Sequence, residues 1–237
     1  MPRTALATSF PGSVSYENFL VRVERVAMPL GFDRERAFAA VSLCRDEMTE
    51  PLLEAIARRW DRPFNLGGLG AVPALGRTGW RAALSHVPEH DGRGRLIVFG
   101  FPHLGIAPDG SLGQTVRRHQ RMATPTCGAM VALLDSLRNG YDPLPAGLND
   151  LEADRLRRVI EEQVEDLPDD LVALTKLAVR AVDDEIWAEL DALRAHEDMD
   201  LSVFTGVQVH LPDDVDHIWP WASSYCGADA VRRPLEI

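Results

Sequence analysis

The stretch RLIVFGFPH, residues 95–103, decides the fold. From Leu96 to Phe101 every residue is apolar or glycine, so a strand here is covered on both faces, as a central strand of a parallel sheet is. Pro102 ends the run and leaves His103 just beyond its carboxyl end. Upstream, FAAVSL at residues 38–43 is a second short apolar run. Thr49, Glu50 and Pro51 then open a helix with the proline in the first turn, where its missing N–H costs nothing. That helix continues to Trp60 and stops before Pro63. Downstream, CGAMVALLDSLRNG reads as a helix from about Cys127 to Arg138, closed by Gly140. Strand, helix, strand, helix predicts an α/β fold, a central sheet with a parallel core flanked by helices.

Around this centre the pattern is less regular. An amphipathic helix is expected from Ser15 or Tyr16 to Met28, with Phe19, Leu20 and Val23 on one face and Pro29 and Gly31 at its end. Residues 65–79, NLGGLGAVPALGRTG, form a glycine-rich loop ahead of a short helix at 80–86. Its Gly68 and Gly70 are not a nucleotide fingerprint, because Pro73 stands where a third glycine belongs and no Gly-Lys-Ser/Thr follows. Two helical segments, 149–166 and 168–196, precede a strand at 201–210, and the tail from Leu211 shows no clear period. The chain reads as one domain over 1–237. Its parts are an N-terminal helical segment (1–36), a core carrying the candidate site (37–148), an acidic helical segment (149–200) and a C-terminal strand and tail (201–237).

Composition excludes several classes. At 237 residues and 46% hydrophobic, the chain can bury a full core. A net charge of -11 argues against a nucleic-acid partner, which needs a concentrated basic surface. Residues 1–150 carry 17 basic and 15 acidic side chains and residues 151–237 carry 8 and 21, so the acidic excess is C-terminal. No segment approaches the roughly 20 apolar residues of a membrane span, and the first twenty residues lack an export signal. Three widely spaced cysteines are not a disulfide framework and suit a reducing, cytoplasmic compartment.

Those thiols are then free for chemistry, and sites in parallel α/β sheets form at strand carboxyl ends. Cys44 closes one strand, His103 follows another, and Cys127 opens a helix whose free N–H groups favour a thiolate. Two thiolates and an imidazole are a zinc set, and three protein ligands leave the fourth tetrahedral position for water. In CRDE, residues 44–47, Asp46 lies in the turn between strand and helix and can lean over a metal that Cys44 binds. A basic partner would keep Asp46 ionised, and Arg45 is the nearest candidate in sequence. Cys226 is an alternative third ligand without a following amphipathic helix. His86, His90, His119 and His196 read as surface residues, and His210 is ambiguous.

At these residues the chain resembles the β-carbonic anhydrases, and specifically the LCIB/LCIC branch. The matching pieces are CRDE (44–47), GGLGAVPALGRTG (67–79), FPHLGI (101–106), TCGAM (126–130) and GVQVH (206–210). The resemblance implies a β-carbonic-anhydrase-like sheet, zinc held by Cys44, His103 and Cys127, and reversible hydration of carbon dioxide to bicarbonate. It also implies a homodimer, for which Ile186, Trp187 and Leu190 are candidate contacts as bulky apolar residues in an acidic helix. Two features depart from the common β pattern. There the His and second Cys lie three apart, whereas residues 104–126 separate His103 from Cys127. The Arg expected four after the first Cys is Met48, which leaves Arg45, Arg77 and the Arg117, Arg118, Arg121 cluster as partners for Asp46. Two other functions compete: a Cys-His hydrolase using Cys127 and His103, and a zinc protein that binds bicarbonate with little turnover.

Overall fold

The strand at 95–101 is the centre of the molecule. The computed structural model describes residues 1–117, 119–139, 150–163, 166, 168–212 and 215–237. Helix α1 (Pro2–Ser9) and strand β1 (Val14–Ser15) lead into α2 (Tyr16–Ala27), whose amino end the Ser15 hydroxyl caps by accepting from the Asn18 N–H. Strand β2 (Phe38–Leu43), α3 (Glu50–Trp60) and β3 (Phe64–Asn65) follow, then α4 (Gly76–Ser85), β4 (Glu89–His90) and β5 (Arg93–Phe101). Next come β6 (His103–Gly105), the small hairpin of β7 (Gln114–Thr115) and β8 (Thr124–Pro125), and α5 (Gly128–Asn139). Helices α6 (Leu151–Glu161) and α7 (Leu171–Ala192) precede β9 (Met199–His210), β10 (His217–Cys226) and β11 (Arg232–Pro234).

The main sheet runs β1-β10-β9-β5-β2-β3, with β4 beside β5, β6 beside β9 and β11 beside β10. Strand β5 is paired in parallel on both sides, Phe38 to Leu43 of β2 facing Leu96 to Phe101, and Met199 to Thr205 of β9 facing Gly94 to Gly100. Its alternate side chains enter two cores. Leu96 and Val98 join Trp80, Met130, Leu156 and the inner face of α7. Ile97, Phe99 and Phe101 join Phe19, Leu20, Ile56 and Trp60 of α2 and α3. Gly100 is glycine because α7 lies directly on it: a Cβ there would sit 2.8 Å from Val182 Cγ1 and 3.0 Å from Ile186 Cδ1.

Two expectations are corrected. Ile186, Trp187 and Leu190 are buried in the core between α7 and the sheet, so they are not surface contacts for a second copy. The C-terminal tail is not irregular, since β10 pairs antiparallel along β9 from Val209 back to Leu201. Its pattern is masked by Pro220, which sits where the register shifts between Pro220 and Ala222, a bulge that tolerates a residue without an N–H. Gly140, the proposed helix stop, lies outside the described residues, as does Arg118. Among the described residues, no helix is long and apolar enough to cross a membrane.

Candidate metal centre

Three buried side chains converge where β2 and β5 end. Cys44 directly follows β2, His103 opens β6, and Cys127 directly precedes α5. Their ligand atoms all lie within 4.8 Å of one another. Two close backbone approaches bring the segments together. Gly67, in the glycine-rich loop, lies against Leu43, where a Cβ would fall 2.1 Å from the Leu43 carbonyl oxygen. Gly105 lies against Thr126, where a Cβ would fall 2.1 Å from Oγ1. The Ser42 hydroxyl donates to the Ala71 carbonyl at 2.7 Å, fixing the same loop to β2 two residues before Cys44.

The electrostatics of the cluster are those of a site built for a cation. The Cys44 and Cys127 sulfurs are 3.8 Å apart. The Cys127 thiol donating to Cys44, aided by the Asp46 N–H, holds the Cys44 thiol far below its ordinary range. The same contact, together with burial, pushes Cys127 up. The Met130 N–H at the start of α5 does favour a Cys127 thiolate, as its position at a helix start predicts, but the charge on Cys44 outweighs it. Two thiolates this close in a dry site repel, and a divalent cation between them removes the conflict. His103 Nε2 is buried with no hydrogen-bond partner. An orphaned imidazole nitrogen is costly unless something ligates it, so the donor set fits a metal ion.

Asp46 occupies the turn expected of it, but its partner is not Arg45. One carboxylate oxygen accepts from the Met48 N–H at 3.0 Å and the other from Arg117 Nη2 at 2.8 Å. Arg117 also donates to Glu47 (2.9 Å), the Thr124 hydroxyl (2.9 Å) and the carbonyls of Pro125 (2.8 Å) and Thr126 (3.0 Å). Arg45 turns outward to Glu152, 2.8 Å away, and that carboxylate also accepts from the Leu69 N–H. Adjacent residues in an extended turn point to opposite sides, which is why sequence proximity misled. Arg77 and Arg121 are exposed, and Cys226 lies outside the cluster, at the far end of β10.

Sequence reasoning missed His210. Its ring is fully buried beside His103, with Nε2 2.9 Å from His103 Nδ1 and Nδ1 2.8 Å from Asp216 Oδ2. The signal was the place of His210 at the end of a buried strand, and its partner Asp216 lay in a tail without a readable pattern.

Solved structures share this architecture. That of PtLCIB4, a homolog of the limiting CO2-inducible protein LCIB, superposes with a TM-score of 0.84 at 23% identity, over 99% of this chain and 100% of that one. LCIB itself superposes at 0.81 with 26% identity, over 100% of this chain and 99% of that one. No curated protein matches the chain. The family described as limiting CO2-inducible proteins B/C beta carbonic anhydrases matches residues 13–226, which span every strand of the main sheet except β11 and every segment of the cluster. This chain therefore belongs to the LCIB/LCIC family of β-carbonic anhydrases.

Proposed function

We propose that the chain catalyses the reversible hydration of carbon dioxide to bicarbonate, with zinc held by Cys44, His103 and Cys127. The observation that carries this reading is the convergence of two buried sulfurs and an unpartnered buried imidazole nitrogen. Zinc held by three protein ligands supplies a water acidified toward neutral pH as nucleophile.

The protein's own groups do the rest. Asp46 accepts a proton in a hydrogen bond from the attacking oxygen and so orients its lone pair toward the substrate carbon. Because Asp46 already accepts from the Met48 N–H and Arg117, it stays in place without reorganising during the reaction. Arg117 holds the carboxylate by a hydrogen bond of 2.8 Å and is therefore a positioning residue. The Cys-His hydrolase reading is disfavoured, since it leaves Cys44, whose sulfur lies 3.8 Å from that of Cys127, and the held Asp46 carboxylate without a role. A cytoplasmic location suits three unpaired cysteines, and the family resemblance favours a homodimer whose contact lies outside the buried face of α7. Zinc analysis together with stopped-flow carbon dioxide hydration tests the proposal. About one zinc per chain with turnover above the uncatalysed rate is expected, and zinc without turnover would leave a bicarbonate-binding protein instead.

A further inference from the structure

His103 has two ring nitrogens, and only the one without a proton can bind a metal. Which nitrogen that is follows from its neighbours. Asp216 Oδ2 accepts from Gln208 Nε2 at 2.9 Å and lies 2.8 Å from His210 Nδ1. A carboxylate only accepts, so His210 Nδ1 carries a proton. The His210 ring is 3% exposed, and in a neutral imidazole a proton on Nδ1 leaves Nε2 bare. That bare nitrogen is 2.9 Å from His103 Nδ1 and accepts, so His103 Nδ1 must donate. His103 Nε2 is then the bare nitrogen, and it is the buried atom with no partner, left free for the cluster with Cys44 and Cys127. The strand register builds the relay: β6 and β9 pair His103 with Gln208 and Gly105 with His210, which sets the two rings edge to face at 5.1 Å.

We infer that Asp216, acting through His210, is the positioning residue that makes His103 a metal ligand. Asp216, just before β10, thus supports the metal centre although it contributes no ligand. Without Asp216, His210 can place its proton on Nε2 and donate to His103 Nδ1. That drives the His103 proton onto Nε2, where it blocks the metal. This rests on the reading of Cys44, His103 and Cys127 as a metal site, but its first test needs no metal.

Nitrogen-15 NMR of the metal-free protein reads the tautomer directly. A protonated Nδ1 and bare Nε2 on His103 are expected, and the reverse overturns the inference without any substitution that risks unfolding. In Asp216→Ala the His103 tautomer should become mixed. Its zinc affinity, measured by competition with a chromophoric chelator, should fall about 10- to 100-fold. An Asp216→Ala protein that unfolds cooperatively yet binds zinc within about twofold of the parent overturns the inference. A parent with the expected tautomer that binds no zinc refutes the metal reading instead and leaves the relay standing.

Discussion

Arg117→Ala separates positioning of Asp46 from construction of the metal site. The guanidinium donates to two carboxylates, a hydroxyl and two carbonyls, and its removal leaves the Asp46 carboxylate held by the Met48 N–H alone. A hydrogen bond to a charged group contributes about 1.5–3 kcal/mol, and several are lost at once. The side chain is 22% exposed, however, so water enters and replaces part of them. A net stability loss of about 2–3 kcal/mol is expected, lowering Tm by about 4–12 °C for a chain of this size. The bond to Asp46 is the one that bears on rate, and losing it should lower kcat/KM about ten- to a hundredfold. Zinc content should not change, because Arg117 touches none of the three ligand atoms. The assay is stopped-flow hydration with a pH indicator, run beside elemental analysis of the same sample. Arg117→Lys keeps the charge but cannot span five acceptors, and should fall between the two. Arg117→Ala combined with Met48→Arg should regain part of the rate, since that arginine would return to the position of the common β pattern. A zinc-loaded Arg117→Ala protein that hydrates carbon dioxide at the parent rate would refute this account of Asp46.

Other perturbations test neighbouring parts. Cys44→Ser and Cys127→Ser should each lose zinc by elemental analysis, whereas Cys226→Ser, outside the cluster, should keep it; the opposite pattern would move the third ligand. Arg45→Ala removes an exposed pair with Glu152 whose side chains are 48% and 35% accessible, so stability should change by less than about 1 kcal/mol. Its hydration rate should also stay near the parent's, and a large fall would restore Arg45 to the site. Gly105→Ala places a methyl group 2.1 Å from Thr126 Oγ1 and should cost about 1–3 kcal/mol by overpacking, with weaker zinc binding as Cys127 is displaced. An unchanged Tm would mean that the approach of Thr126 to β6 is not a constraint.

What could be read in advance was what local pattern encodes. Strand β5 announced itself because burial on both faces leaves no polar alternation, and Phe38 to Leu43 did so for the same reason. Cys44, His103 and Cys127 were legible because strand ends and helix starts are marked by proline, glycine and changes of period. Arg117 was legible only as one candidate among several, because its link to Asp46 crosses 71 positions of sequence and depends on how the β7–β8 hairpin returns. Asp216 was not legible: a strand interrupted by Pro220 hid β10, and without β10 nothing located the segment before it.

The long separation of His103 from Cys127 explains why Arg117 has so many acceptors. When two ligands lie three residues apart, local geometry holds them in register. Here residues 104–126 intervene, and closing such a loop to ligand precision costs entropy that the chain must offset elsewhere. The structure does so in steps. The Gly113 N–H donates to the Gly105 carbonyl at 2.7 Å, and the Thr126 N–H donates to the Gly113 carbonyl at 2.9 Å, stacking both ends of the loop beside β6. Arg117 then ties the carbonyls of Pro125 and Thr126, the residues leading into Cys127, to Asp46 and Glu47 in the turn after Cys44. One guanidinium therefore bridges the two cysteine segments, whose spacing the backbone bonds beside β6 already set, and holds the carboxylate between them. An arginine at position 48 would lie within the Cys44 segment itself, beside Asp46 in sequence. Moving the arginine into the loop makes the geometry of Asp46 depend on the loop being closed, so the carboxylate is positioned only when Cys127 is.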